Sequence, residues 1–484
     1  MHLVSHLYIN KSHLHLLLEF TINQIIFNLK SKLSKLLDEF IIDNSKNRYV
    51  NIFLKFQNLI NEISVMFISK LFETLDKVFR NSSKRKEKYY ISKSNVKRTI
   101  VTIFGTITFY RTLYINKLTG EYYFYVDDVL GLESYKNYDP IVRAILVQDS
   151  VITNPNHTSN YSPLDILNLK NRLNESIPKQ TIYKFKQDTK IRKINYEEIE
   201  TDKTLYVMVD EKWIHKQDKN EAGKKKWIMS KCFVTFTGIK RKGKRSRLTG
   251  RHVFISTSDK PWKEFMNEIY TVYNFEEINT INLLSDAGSW ILSGSSELKL
   301  YSNNKVIINT CEFHVKQKIN RSTRDKELRI TIANIIYEKE DKEEFIKEMN
   351  KLIESKDSDS RKEKITEYKN YILKHWKGII NMKNSLCKSS MEAHIEHCIA
   401  SSFSSVPKAY SENNIEGYLK LQEMVLNGIS IFDYYLDTYN SDDDYIYNNE
   451  KEVNYSMFDH STSNVPCLYS NSNVSKALYS IINY

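Results

Sequence analysis

The stretch TLYVMVDEKWIHK (residues 204–216) carries a short apolar run that ends in charged residues. A run of this length, rich in β-branched residues, predicts a strand buried in a sheet. Asp210 directly follows the run. Its carboxylate is therefore predicted at the rim of the sheet, where polar residues of binding and catalytic sites commonly lie.

The same pattern returns in INTINLLSDAG (278–288), where Asp286 ends a second apolar run. Before it come two further strand segments, WIMSKCFVTFTGIKR (227–241) and RHVFIST (251–257), joined by a basic loop, KRKGKRSR (240–247). A helix follows in PWKEFMNEIYTVYNF (261–275), and another strand in NKVIINTCEFH (304–314). Three consecutive strands and a helical crossover into parallel strands predict a mixed α/β sheet, the succession of the RNase H-like fold.

Asp210 and Asp286 have two possible interpretations: they share a functional site, or each has only a local structural role. Either residue could be a helix N-cap or a turn residue, and SDAGS around Asp286 resembles a cap. Two such strand ends in one α/β unit favour a site. A third acid would come from KSSMEAHIEHC (388–398), where Glu392 and Glu396 share one helical face. Neighbouring histidines raise a zinc alternative, which the lack of a second ligand pair disfavours.

Outside this core the patterns predict five further regions. Residues 1–96 are predicted as amphipathic helices that divide near 43–51. Residues 97–200 combine a small β-unit, with a hairpin turn at Gly120, and a helix-turn-helix region. The core occupies 201–321, charged helices form an insertion at 322–385, and helices at 386–440 complete the core. The polar tail at 441–484 is predicted to be poorly ordered.

The helix-turn-helix candidate is YSPLDILNLKNRLNESIPKQTIYKFKQ (161–187), with Pro178 in the first turn of its second helix. In such motifs the second helix enters the major groove and its first residues contact DNA. The predicted contacts are Lys179, Gln180, Thr181, Tyr183 and Lys184. An ordinary helical hairpin in the core is the alternative.

Composition is compatible with a DNA partner. The 71 Lys and Arg residues exceed the 59 Asp and Glu residues, which gives a net charge of +12, and basic proteins bind polyanions by releasing counterions. A lysine-rich composition caused by an AT-rich genome is the alternative. Five widely spaced cysteines without a CxxC pair predict a reducing compartment. With no signal-peptide pattern or membrane-length apolar run, we expect a cytoplasmic, nucleoid-associated protein without a membrane partner.

Several segments in order resemble the Lre-type insertion-sequence transposases of low-GC bacteria, including transposase-like proteins of mycoplasma integrative elements, which are relatives of the Mutator-like DDE enzymes. The resemblance runs from about residue 97 to about residue 440 and rests, beside the helix-turn-helix candidate, on TIFGTITFYRTLYINKLTGEYYFYVDDVLG, VDEKWIHKQ, SDAGSWI, CEFHVKQ and SMEAHIEHCIASSFSSVPKAYSENNIEGYL. It implies an RNase H-like core with Asp210, Asp286 and Glu392 as catalytic metal ligands. It also places Trp290, Cys311 and His314 at the margin of the active site.

The resemblance implies a DNA transposase that cleaves and joins strands with two Mg²⁺ or Mn²⁺ ions, about 3.5–4 Å apart in such sites. Its partners would be double-stranded DNA, both element ends and target, and a second copy in a homodimer or higher oligomer. Two departures favour an alternative, a catalytically degenerate DNA-binding protein. The family's Asp-Gly-Ala is here Asp286-Ala287-Gly288, and Val406 stands where the family tends to have an arginine.

Overall fold

The structure is a computed structural model that describes residues 11–42, 48–152, 177–192, 194–219, 225–242, 245–301, 305–385 and 410–440. The chain divides into two compact units. One comprises residues 1–186 and 435–440, and the other comprises residues 187–434 and 441–484. None of the helices in the described ranges is long and apolar enough to cross a membrane.

The first unit begins with two long helices, α1 (Lys11–Ile42) and α2 (Arg48–Asn81). The division near residues 43–51 that the apolar spacing predicts is confirmed. A short helix follows, α3 (Ser83–Lys88), in which the Ser82 hydroxyl accepts a hydrogen bond from the Arg85 N–H at 3.1 Å. Such a cap satisfies one of the amides that a helix start leaves without a partner.

A three-stranded antiparallel sheet comes next, with β1 (Tyr89–Thr102), β2 (Gly105–Asn116) and β3 (Tyr122–Tyr123). It starts eight residues before the predicted boundary at 97. Gly120 lies in the turn between β2 and β3 with φ +75°, so the predicted turn is confirmed. The remaining elements of this unit are α4 (Tyr125–Val129), α5 (Pro140–Ile152) and α6 (Lys179–Asp188).

The second unit is built on a five-stranded mixed sheet with the order β10-β9-β4-β5-β8. Strands β4, β9 and β10 are parallel to one another, while β4 with β5 and β5 with β8 are antiparallel. The mixed α/β class predicted from the sequence is therefore confirmed. The strands are β4 (Thr204–Lys219), β5 (Lys225–Phe236), β8 (His252–Ser256), β9 (Thr280–Ser285) and β10 (Lys305–Thr310).

The basic segment predicted as a loop is instead a hairpin of β6 (Gly238–Lys242) and β7 (Arg245–Thr249). The prediction was wrong because the basic side chains hid the strand pattern. Backbone pairing does not require apolar side chains where a two-stranded ribbon lies outside a core.

Two helices pack on the sheet to form its main core, α7 (Pro261–Val272) and α8 (Ser289–Tyr301). Leu205, Val207 and Val209 of β4 join Phe265 and Ile291 of these helices in one buried cluster. No element was predicted for the segment of α8, in which the polar run of residues 293–297 interrupts the apolar spacing. The two helices meet where Gly294 lies against the Trp262 indole.

The inserted helices form a core of their own. They are α9 (Glu312–Ser322), α10 (Lys326–Asn334), a π-helical turn (Ile335–Lys339), α11 (Lys342–Glu354), α12 (Asp359–Lys374) and α13 (Trp376–Asn384). Phe345, Ile365 and Ile379 are among the buried residues of this cluster. Helix α13 reaches the sheet, where Asn381 Nδ2 donates to the Ile308 carbonyl at 3.0 Å.

The last helices are α14 (Glu412–Leu426) and α15 (Ile431–Asn440). The apolar spacing of YLKLQEMVLNGISIFDYYL (418–436) predicts one continuous helix, but Gly428 interrupts it with φ +85°. Helix α14 covers the edge strand β8. Asn427 accepts from the Val253 N–H and donates to the Val253 carbonyl, both at 2.7 Å, and Glu423 accepts from the Ile255 N–H at 2.6 Å. These side chains occupy the groups that an added strand would use.

We predict that Gly294→Ala destabilises the protein by about 3 kcal/mol, because the new methyl group would overlap the Trp262 indole between two packed helices. The matched control is Gly417→Ala in α14, where no atom lies within 4 Å of the added Cβ. That substitution should stabilise by about 1 kcal/mol through helix propensity. Urea denaturation measures both, and equal effects of the two variants would contradict the packing described for Gly294.

A pH dependence is predicted from Glu423, whose residue is only 2% exposed. Burial raises the pKa of its carboxyl to about 8 from the usual 4.5, Lys420 opposes the rise, and Glu268 adds to it. The folded state thus keeps a proton that the unfolded chain releases, so stability should fall as pH rises from about 4.5 to about 8. Denaturation near both pH values should show a smaller fall for Glu423→Gln, and an undiminished fall would refute this origin.

Candidate active site

Asp210 and Asp286 come side by side through the pairing of β4 with β9. The last paired residues of this parallel ladder are Met208 and Leu284. Each aspartate lies two residues beyond its paired residue, so the two carboxylates occupy matching positions just past the end of the β4–β9 pairing. Asp286 follows the last residue of β9, as predicted. The prediction that Asp210 ends its strand was wrong, because β4 continues to Lys219 through its pairing with β5. Both side chains are partly exposed, which leaves them accessible to a ligand. Parallel strands present functional residues at this edge of a sheet.

The turn after β9 holds Asp286 in place. Its Oδ1 accepts a hydrogen bond from the Gly288 N–H at 2.9 Å, and its carbonyl accepts one from the Tyr371 hydroxyl at 2.6 Å. Ala287 adopts the left-handed conformation, with φ +66°. Ala287 therefore has a Cβ in a conformation that favours glycine, at a cost of about 1 kcal/mol.

Cys311 and His314 lie beside the two aspartates. The Cys311 N–H donates to the Ser285 carbonyl at 2.7 Å, which fixes the start of α9 next to the end of β9. A hydrogen bond between the His314 ring and Cys311 raises the pKa of His314; burial opposes this, and the charges of Asp286 and Asp210 raise it further. The charges of both carboxylates therefore act on the His314 imidazole. Asp210, Asp286, Cys311 and His314, all singled out from the sequence, lie near one another here.

Trp290 lies next to the site through Glu211. Its Nε1 donates a hydrogen bond to the Glu211 carboxylate. Since side chains alternate along a strand, Glu211 projects from the opposite face of β4 to Asp210. The indole therefore steadies the strand immediately beyond Asp210.

Tyr371 and His375 were not predicted as site residues. They come from the end of α12 and the residue after it, within the charged helices assigned only as an insertion. Burial lowers the pKa of His375, as does Lys374, while Asp286 opposes the shift. Only packing brings these helices to the end of β9, so a reading of the local sequence pattern had no signal for them.

The ribbon of β4 and β5 continues past Asp210 and carries two exposed tryptophans. In its register Trp213 pairs with Met229 and His215 with Trp227. About half of the surface of each tryptophan is exposed, 51% for Trp213 and 48% for Trp227. The His215 ring lies on Trp227 with 3.3 Å between centroids. Exposed tryptophan on this ribbon was not singled out from the sequence, although the alternation of the strand contains the signal.

The predicted DNA-contacting residues lie on α6 in the first unit. Lys179, Gln180 and Lys184 are exposed, while Thr181 and Tyr183 are half-buried. Ile182 and Phe185 are the buried residues of this helix. The helix therefore presents its polar face outward, but the first helix of the motif lies outside the described residues.

Glu392 and Glu396, with the neighbouring histidines, also lie outside the described residues. Within the ranges that are described, no group of three or more His, Cys, Asp or Glu residues is arranged to hold a metal ion. The described site thus consists of two adjacent carboxylates with Cys311 and His314 at their side.

Comparison with known proteins identifies the family. Residues 50–434 match the model of the "Uncharacterised protein family (UPF0236)", and the chain belongs to this family. Two similar UPF0236 proteins of Caldanaerobacter subterraneus subsp. tengcongensis are each 26% identical over 374 residues, 75% of this chain and 74% or 70% of theirs. A third is 24% identical over 387 residues, 77% of each chain, and its name joins eleven locus designations.

The left-handed conformation of Ala287 predicts a specific sensitivity. Ala287→Val should destabilise by about 2 kcal/mol, since a β-branched residue is strongly disfavoured at positive φ. Ala287→Gly should lie within about 1 kcal/mol of the parent, because relief of strain offsets the greater freedom of the unfolded chain. Urea denaturation of both variants tests this, and a valine variant as stable as the parent would exclude the strained turn.

Proposed function

We propose that this chain is a DNA transposase of the DDE type with an RNase H-like catalytic core. The observation that carries the proposal is the placement of Asp210 and Asp286 at matching positions just past the end of the parallel pairing of β4 with β9. The sheet supports it, because three antiparallel strands precede a helical crossover into parallel strands, as in the RNase H-like fold.

The donor set fits Mg²⁺ or Mn²⁺. Both ions prefer hard oxygen ligands, and Mg²⁺ is commonly held by one or two carboxylates together with waters and substrate phosphate. Asp210 and Asp286 supply two such carboxylates, and Glu392 is the proposed third. A bound pair of ions would stabilise the attacking and leaving oxygens of an in-line phosphoryl transfer.

The protein's own residues position this chemistry. Tyr371 and Gly288 hold the backbone and carboxylate of Asp286, and the Trp290–Glu211 hydrogen bond steadies β4 next to Asp210. His314 supplies a ring nitrogen at the margin, where it can donate to a phosphate oxygen. These contacts fix the carboxylates before DNA binds, so less order has to be gained in the transition state.

DNA as the substrate is supported by charge and by exposed aromatic residues. The net charge of +12 favours a polyanion. On the ribbon that extends from Asp210, Trp213 and Trp227 can stack on unpaired bases, an interaction that tolerates any sequence. The outward Lys179, Gln180 and Lys184 of α6 fit contacts to duplex DNA.

The name of one relative supports the proposal that the gene belongs to a mobile DNA element. The name of one similar protein joins eleven locus designations in one organism, and a coding sequence present at many loci is what a self-copying element would produce. A catalytically degenerate DNA-binding protein is the second candidate, favoured by the strained Ala287 in the turn after Asp286.

The test is cleavage of DNA that carries the inverted repeats flanking the gene, with purified full chain and Mg²⁺ or Mn²⁺. Asp210→Asn and Asp286→Asn should each lower the cleavage rate by about 1,000-fold or more, because each removes a proposed metal ligand. Asp202→Asn, exposed just before the other end of β4, is the matched control and should keep full activity.

Wild-type cleavage rates in Asp210→Asn would overturn the proposed mechanism. A parent chain that binds the repeats but cleaves under neither metal would establish the second candidate. Glu392→Gln and Glu396→Gln, compared in the same assay, identify the third carboxylate.

A further inference from the structure

Helices α1 and α2 carry an unusual share of exposed apolar side chains. Of the twenty-six large apolar residues exposed in the described ranges, thirteen lie on these two helices. Phe27 is 74% exposed and Phe53 is 69% exposed. Scattered exposed apolar residues are common on proteins, but such a concentration marks an interaction surface.

The two helices form an antiparallel hairpin with its own interior. Ion pairs join Lys32 to Glu62 and Lys55 to Glu39. The partner on α2 thus moves back by seven residues as the position on α1 advances by seven, which shows that the helices are antiparallel. Ile25 and Leu59 are buried. The exposed residues therefore do not belong to the contact between α1 and α2.

On α2 the exposed residues are regularly spaced. Tyr49, Phe53, Phe56, Ile60 and Phe67 are all exposed and follow one another at intervals of 4, 3, 4 and 7 residues. This is the heptad spacing with which one helix packs side chains into the holes of another. The partner that such a stripe fits is therefore a helix.

Helix α1 extends the surface. Ile22, Ile26, Leu37 and Ile41 are exposed and lie along one side of the helix at intervals of 4, 11 and 4 residues. We call these four residues and the five on α2 the hairpin stripe. With large side chains that are each roughly half exposed, it offers on the order of 1,000 Å², compared with about 800 Å² buried per partner in a standard interface.

Charge argues against DNA as the occupant. Residues 22–67 contain six Lys or Arg and four Asp or Glu, a net charge of only +2. Two such hairpins can approach each other without strong repulsion, whereas a phosphate-binding surface is dominated by basic residues. A near-neutral helical hairpin with an apolar stripe is suited to a copy of itself, because a two-fold contact needs one self-complementary patch.

We propose that the hairpin stripe is the dimerisation surface of this protein, on which two copies join their α1–α2 hairpins into a four-helix bundle. Four-helix bundles bury heptad positions of this kind in their centre. The proposal does not depend on the proposed function, since it concerns association without DNA.

The experiment is light scattering of the full chain after size-exclusion chromatography, over a range of concentrations. The parent should have twice the chain mass of 57.2 kDa. The double variant Phe53→Asp, Phe56→Asp should weaken self-association by at least about 100-fold, as expected for aromatic anchors at an interface centre. Leu118→Asp, a 95% exposed apolar residue of the β2–β3 turn, is the control and should remain dimeric.

An unchanged far-ultraviolet circular dichroism spectrum and a cooperative melting transition establish that the double variant is folded. A photo-crosslinking phenylalanine at position 56 identifies the occupant directly. Cross-links to residues 22–67 of a second copy support the proposal. A monomeric parent, or cross-links only to other segments of the same chain, would overturn it.

Discussion

The second unit depends on the parallel pairing of β4 with β9. These strands are 60 or more residues apart in the chain. Thr204 pairs with Thr280, and each aspartate lies six residues after its own threonine, Asp210 after Thr204 and Asp286 after Thr280. The pairing places the two carboxylates together. Because side chains alternate along a strand, a one-residue slip would turn one aspartate to the opposite face and bury a polar group in the α7–α8 core.

The surroundings of this pairing keep it in register. On one side, Val207 and Val209 pack under α7 and α8. At the end of the strands, Tyr371 and the Cys311 amide hold the backbone of Asp286 and Ser285. At the far edge of the sheet, Glu423 of α14 and Asn427, the residue after that helix, cover β8. Helices from three later parts of the chain therefore protect one sheet, and those of the insertion hold the site end of β9.

Local patterns were sufficient for many elements and misleading for a few. The two N-terminal helices, the Gly120 turn and helix α5 from Pro140 are encoded by spacing, by glycine at positive φ and by proline at a helix start. The β6–β7 hairpin and α8 escaped detection because their residues carry weak periodicity. The break at Gly428 was missed since an apolar pattern continues through it.

By itself, the sequence determined that Asp210 and Asp286 each follow the buried apolar part of a strand, because a short run of apolar and β-branched residues that stops at a carboxylate is typical of a strand leaving a core. It assigned Cys311 and His314 to the end of the next strand, whereas the structure ends that strand at Thr310 and places both residues at the start of α9. Only the tertiary structure decided that these four residues meet and that Tyr371 and His375 join them. The reason is that strand order and the packing of inserted helices depend on contacts between residues far apart in the chain, and no local spacing records those contacts.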